Sequence, residues 1–556
     1  QVLGAKLTKT TDALVPITPA IIDAVQGGEE KAEEKQEEVA EVAPAAEVAE
    51  AAPVAPVAAP VAQASAPAGV FKLQIGKGEN INLEIPLSAF AQQAAQPAPA
   101  AAVVEGKSAA VAEAAPVAVE AKAEEKHEGE SKFIRSLKTK HYKIDKVVFG
   151  EKTEIQGTTL VLRTPEDLCK EAAASEELVE DVKLEIITPD KYDTYSETIM
   201  DVQPIAVKEE GDLGHGITRE LKGVVMVLTG TDANGVQIGE FGSSEGELER
   251  NIMWGRPGAP DKGEIFIKGQ VTIKAGANME RPGPLAAHKA FDHITEEIRK
   301  ALKELEDESL VVGDINIEQY RHPGNKKVLI VKEIMGQGAM HDNLILPVEP
   351  VGTLGAKPNV DLGNLPVMLA PTEVLDGGIH ALTCIGPASK ETSRHYYREP
   401  LVLEAMADEE IDLVGVLLVG SPQANSEKFY VSKRVGMTIE AMDIDGAIVT
   451  TEGFGNNHID FASHIEEIGK RGVSVVGMTY SAVQGALVVG NEYMSAMVDN
   501  NKSKQGIENE ILSNNTLCKE DAIRALAMLK TQMGGGTIKK AERKWNPNVK
   551  LNNVEV

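Results

Sequence analysis

The 556 residues leave room for about three to four domains, and 85 acidic against 56 basic side chains give a formal charge of −29. That charge argues against nucleic acid and anionic membrane surfaces as partners, and no apolar run reaches the roughly 18 residues of a membrane span. Three scattered cysteines, Cys169, Cys384 and Cys518, with no Cys-x-x-Cys, exclude a disulfide framework, a zinc ribbon or an iron–sulfur site built by this chain alone, and suit a reducing, cytoplasmic setting.

Residues 1–131 read as low-complexity linkers, largely disordered. The opening Gln1–Leu7 lacks a basic stretch followed by an apolar core, so no export signal is expected. Glu29 to Glu50 is dominated by Glu, Ala51 to Ala68 by Ala, Pro and Val, and Ala91 to Ser131 repeats the mixture. Such segments offer no periodic apolar face to offset the entropy of ordering. One island interrupts them at 69–90. Phe71, Leu73 and Ile75 alternate with polar residues, a Gly-rich turn follows, and Ile81, Leu83 and Ile85 alternate again. That pattern predicts a β-hairpin. It is too short for a lipoyl or biotinyl carrier, and Lys72 and Lys77 lack the flanks of a modified lysine.

Residues 132–383 read as an α+β domain. Tyr142 to Arg163 predicts a hairpin between Val147–Phe149 and Leu160–Leu162. Strands follow at Val182–Ile187, Gly223–Thr229, Glu264–Ile273 and Lys327–Lys332. Leu285 to Leu305 is amphipathic at helical spacing, and Met335 to Asp342 is a loop.

Residues 384–556 read as an α/β domain. Ile411–Val419, Gly446–Thr451 and Val473–Tyr480 are Val-rich apolar runs separated by helical segments at Ser426–Met442 and Asp460–Lys470. Strands alternating with helices predict a parallel sheet with helices on both faces. A last helix, Lys519–Met533, stops at Gly534-Gly535-Gly536.

In such a sheet ligands bind beyond the carboxyl ends of the strands. Three loops leave those ends, starting at Gly420, Glu452 and Thr479, and all are rich in Gly and uncharged hydrogen-bonding residues. Ser421, Asn456, Asn457 and Gln484 are therefore candidates to bind a small polar substrate. His458 and Glu452 are the acid–base candidates, since an imidazole titrates near neutrality. Alternatively, His458 caps the following helix and Glu452 is a solvated charge. Gly453-x-Gly455 is half a dinucleotide fingerprint, with His458 where the third Gly belongs, so no nucleotide is expected. His458 and His464 are too irregularly placed for a metal pair and no His-Glu-x-x-His occurs, so no metal is expected.

Cys384 lies where an apolar-alternating segment gives way to Gly386-Pro387. By itself such a cysteine is most often a small buried hydrophobe. Its surroundings say more. Leu382-Thr383-Cys384-Ile385-Gly386-Pro387, the run from Asp445 to Asp460, and the Ala/Pro/Glu spacers closely resemble the pyruvoyl-forming proproteins of the D-proline reductase family. Tyr142 to Arg163 is similar as well to the substrate-binding components of glycine, sarcosine and betaine reductases.

The resemblance implies that the chain cuts itself between Thr383 and Cys384, and that Cys384 becomes a pyruvoyl group on the new N-terminus. The chemistry suits the residue. A thiolate can attack the carbonyl of Thr383 and break the peptide bond to give a thioester; eliminating the thiocarboxylate from Cβ leaves dehydroalanine, which hydrolyses to a ketone with loss of ammonia. The resemblance further implies that D-proline binds this ketone as an iminium. A selenocysteine-containing reductase subunit then opens the ring to 5-aminopentanoate within a hetero-oligomer that retains both cleaved fragments. Arg394 and Arg398, just past the cut, either hold the substrate carboxylate or lie at the surface. His395 either stands near the ketone or faces solvent. Two alternatives stay open: a sarcosine, betaine or glycine reductase component, and an uncleaved structural or regulatory relative.

Overall fold

The structure, a computed structural model, describes the backbone of 70–75 and 81–86 and residues 130–238, 245–277, 282–334, 344–353, 366–381, 391–422, 424–451, 453, 455–481, 487, 489–502 and 511–538. The chain forms two compact units, 1–119 and 120–556. In the first, β1 (Val70–Ile75) and β2 (Ile81–Pro86) pair antiparallel in unbroken register. This is the expected hairpin; the linkers around it lie outside the described residues.

The second unit holds three larger sheets. In the first, β3 (Lys132–Lys143) pairs in parallel with β11 (Gly216–Lys222) and antiparallel with β15 (Val311–Arg321), while β10 (Ala206–Glu210) closes the far edge. In the second, the order is β7 (Val179–Ile187), β14 (Ile265–Ile273), β12 (Val224–Asp232), β9 (Ile199–Gln203). Two helices pack into the core of this region. Helix α1 (Pro165–Ala174) starts with Pro at its first turn, where a missing N–H costs nothing. In α2 (Pro282–Lys303), Ala287, Ala290, Phe291, Ile294, Ile298 and Leu302 recur every three or four residues and are fully buried. A Cβ on Gly269 of β14 would lie 2.2 Å from the Phe291 ring, so the close approach of helix and strand requires glycine there. Small pairings add β8 (Tyr195–Ser196) to β13 (Gly246–Glu247), and β17 (Leu344–Ile345) to β19 (Ile379–His380).

The hairpin expected at Tyr142–Arg163 does not form. Instead β4 (Lys146–Gly150) runs parallel to β6 (Thr159–Arg163), and the tight hairpin joins β6 to β5 (Glu154–Gln156). Gly157 is the reason. Its φ of 58° turns the chain between β5 and β6, so β4 must dock on the other edge of β6.

The third sheet carries the expected C-terminal strands. Its order is β18 (Val367–Leu369), β20 (Ile411–Gly420), β16 (Lys326–Ile334), β21 (Gly446–Thr451), β22 (Ser474–Thr479), β23 (Met497–Asp499), all parallel except β18. The strand at Lys327–Lys332, assigned by sequence to the α+β region, thus sits inside this sheet. Position 383/384 is no seam between sheets. Alternate residues feed two clusters. Val328 and Ile330 of β16, Val416 and Leu418 of β20 join α5 (Pro400–Met406) and α8 (Lys519–Met533). Leu329, Val331, Leu417 and Val419 join α6 (Asn425–Met442) and α7 (Asn456–Gly469). Among the described residues, no helix is long and apolar enough to cross a membrane.

Candidate active site

The chain leaves β16 for β20 on one side and returns to β21 on the other, so strand order reverses around β16. Ligands bind at such reversals, beyond the strand ends. Here the ends carry a buried polar cluster. Glu333, the penultimate residue of β16, accepts from Thr451 Oγ1 at 3.1 Å, with Asn457 beside it, and His464 Nε2 lies 4.0 Å from its other oxygen. Lys428 of α6 donates to Ser421 Oγ at 2.9 Å and to Asp460 Oδ2, which also accepts from Ser421. His458 Nε2 lies 3.1 Å from Thr479 Oγ1. All these side chains are buried.

Two carboxylates and one ammonium buried together cannot all keep their ordinary ionisation. Burial, then repulsion from Asp460, drives the Glu333 carboxyl well above its usual range. Burial likewise pushes Asp460 up to about 6, against the pull of Lys428. His464 is pushed down to about 3 by burial and by Lys428, so its ring is neutral. Near neutral pH the pair Glu333 and Asp460 therefore retains a proton that solvated carboxylates would have released.

A second cluster occupies the other side of β16. Lys332 points opposite to Glu333, because successive strand residues alternate faces. Its Nζ lies 2.9 Å from Glu391 and 3.1 Å from Glu399, and 5.5 Å above the Tyr396 ring. His395 Nε2 lies 3.3 Å from Glu391 and 2.9 Å from Glu399. The three residues recur every four positions, along α4 (Ser393–Tyr397) and its flanks. Although burial opposes it, the two carboxylates raise His395 to about 9, and in return His395 and Lys332 hold Glu391 near 2. Two positive and two negative groups balance.

The segment from Glu391 to Arg398 is fixed at several further points. Arg394 donates from both Nη atoms to Glu264, at 2.6 and 2.7 Å, and Arg398 pairs with Asp261 at 2.9 Å. Thr392 Oγ1 donates to Gly258 O at 2.8 Å and caps α4 by accepting from His395 N. Ser393 donates from N and Oγ to Asp201, and its Oγ accepts from Ala381 N at 2.9 Å. That last bond joins the residues on either side of 382–390.

Thr383, Cys384, Glu452 and Gln484 lie outside the described residues. Ser421, Asn457 and His458 come together in the strand-end cluster, with Asn456 half-buried beside them. Arg394 and His395, for which a surface position was one expectation, are both buried among carboxylates. His458 sits in the first turn of α7, whose N-cap is Gly455. Sequence reasoning missed Lys332, Glu333, Glu391, Glu399, Lys428 and Asp460. For the first two a signal existed: adjacent charges closing an otherwise apolar strand, Val328-Leu-Ile-Val-Lys-Glu-Ile334.

The family model for glycine/sarcosine/betaine reductase component B subunits matches residues 135–508. The chain is 62% identical to the D-proline reductase proprotein PrdA of Acetoanaerobium sticklandii, over 100% of this chain and 86% of that one. It is 25% identical to the sarcosine reductase complex component B subunit alpha of Peptoclostridium acidaminophilum, over 60% of this chain and 77% of that one. To the glycine reductase complex component B subunits alpha and beta of Acetoanaerobium sticklandii it is again 25% identical, over 62% and 79%. No solved structure matches.

Proposed function

The chain belongs to the glycine/sarcosine/betaine reductase component B subunit family, and on that premise we propose that it is the precursor of a D-proline reductase subunit. One observation carries this: the 62% identity to a D-proline reductase proprotein runs the whole length of the chain, whereas identity to the sarcosine and glycine relatives is 25–32% and partial.

We further propose that the chain is cut at Thr383–Cys384, giving fragments 1–383 and 384–556, and that the pyruvoyl group derives from Cys384. When present, its ketone supplies a carbonyl to the ring nitrogen of D-proline and draws electrons from the Cα–N bond. This chain's residues then hold and move protons. The cluster of Glu333, Lys428 and Asp460 stores one near neutral pH, and His458, with Glu452, passes protons to and from the substrate. Ser421, Asn456, Asn457 and Gln484 are assigned to substrate contacts. Arg394, with both Nη atoms on Glu264, is assigned to anchoring the new N-terminal segment.

Electrons come from another subunit of a hetero-oligomeric complex, proposed to be a selenoprotein. Support lies in the thiols of this chain. Cys169 and Cys518 are unpaired and buried, and burial pushes the Cys169 thiol up to about 11 and raises that of Cys518. Neither is poised as a reductant. A cytoplasmic setting is proposed on the same cysteine usage.

Intact-mass analysis tests the cut. Two fragments splitting after position 383, the smaller gaining mass with phenylhydrazine, are expected; a single species near 59.3 kDa overturns the proposal. Turnover of D-proline by the assembled complex, with sarcosine, betaine and glycine inert, is the matching expectation for the substrate.

A further inference from the structure

Three residues far apart in sequence converge near the end of β19. Asp201 lies on β9, His288 on α2 and His380 on β19, and all three are fully buried. A carboxylate oxygen and one nitrogen from each ring lie within 4.8 Å of one another. His288 Nε2 is 3.6 Å from Asp201 Oδ2, and the two imidazoles meet edge-on with centroids 5.2 Å apart.

The tautomers are set from outside. His288 Nδ1 lies 2.8 Å from the carbonyl oxygen of Pro284, and His380 Nδ1 faces the carbonyl oxygen of Val351. A carbonyl only accepts, so each Nδ1 carries the hydrogen and donates it. In a neutral ring each Nε2 then holds a lone pair. Both Nε2 atoms are buried without a hydrogen-bond partner among the described residues. Two lone pairs and a carboxylate gathered in one buried site repel, unless a cation sits between them.

A proton resolves only half of this. Placed on His288 Nε2, it would face Asp201 across 3.6 Å, too long for a hydrogen bond, and His380 Nε2 would stay unsatisfied. Asp201 is oriented as a ligating carboxylate usually is, by donors from Val202 N, Gln203 Nε2 and Ser393.

We propose that Asp201, His288 and His380 bind one divalent transition cation of the zinc class, through Oδ2 and the two Nε2 atoms. Two imidazoles and a carboxylate, each imidazole steered by a backbone carbonyl, are a donor set for such ions that leaves a position open. The ion would tie β9, α2 and β19 together. Through Asp201 and Ser393 it would also brace the segment that follows the expected cut.

The test uses the full chain, stripped with chelator and titrated with cobalt(II) or zinc chloride. Expected are saturation at one ion per chain, a visible cobalt d–d band, and a rise in melting temperature with either metal. His380→Gln and His288→Gln should lose the band and the thermal shift, with circular dichroism confirming that they fold. Absence of saturable binding and of any thermal shift in the wild-type chain overturns the proposal, whatever the variants do. So does stoichiometric binding that survives both substitutions. Neither result depends on turnover, so failure here is distinct from failure of the proposed reductase activity.

Discussion

Lys428 is fully buried; among the described residues its ammonium is neutralised by Asp460 and steadied by Ser421. Replacing it with Met would leave a buried carboxylate without its cation, at a cost of about 3–5 kcal/mol when that carboxylate is ionised. Asp460 can escape by protonating. Its folded-state pKa, already raised to about 6, would rise further in Lys428→Met. The stability deficit of that variant should therefore be small at pH 5 and grow as pH rises through 8. Denaturant melts across that range check this, and a deficit independent of pH would contradict it. Cys384 is tested more simply. Cys384→Ala should fold and stay in one piece, because alanine has neither an attacking nor a leaving atom on Cβ. Two fragments from that variant would remove Cys384 from the proposed chemistry.

At the scale of elements, α4 and its flanks are held by paired charges as well as by Tyr396 and Tyr397, which enter core clusters. Glu391, His395 and Glu399 form one row with Lys332, while Arg394 and Arg398 form another with Glu264 and Asp261. The His395 imidazolium is central to the first row. Its folded pKa is about 9 against an ordinary 6.5, so the stability it contributes is complete below about pH 6.5 and disappears as pH rises through about 9. Thermal melts should show the wild-type melting temperature falling across that window, and His395→Gln should flatten the slope. Equal slopes would refute the assignment. β20, β21, β22, α6, α7 and α8 were legible from their apolar runs, because periodicity reports burial directly, whereas the short α5 and β23 were not. The fold of Tyr142–Arg163 was not: a glycine turn, rather than the apolar pattern, decided which strands became neighbours.

For the molecule as a whole, the proposed cut falls inside an interwoven body. β16, upstream, lies between β20 and β21, downstream, and pairs in parallel with both. Buried ion pairs from Lys332 and Glu264 cross the same division. The two fragments should therefore co-elute as one particle after processing and separate only in denaturant. Dissociation under native conditions would show that these contacts do not hold them.

The sequence by itself determined the strand–helix alternation beyond position 400, the hairpin at 70–86 and the family to which the chain belongs, because periodicity and motif are local properties. It also singled out the loops at the strand ends where Ser421, Asn457 and His458 gather. Only the tertiary structure decided that Lys332 and Glu333 face separate clusters, that Lys428 meets Asp460, and that Asp201, His288 and His380 converge. Such meetings depend on which strands become neighbours and which helix packs over them. Charged partners drawn from different elements carry no common spacing along the chain, so no linear pattern could announce their meeting.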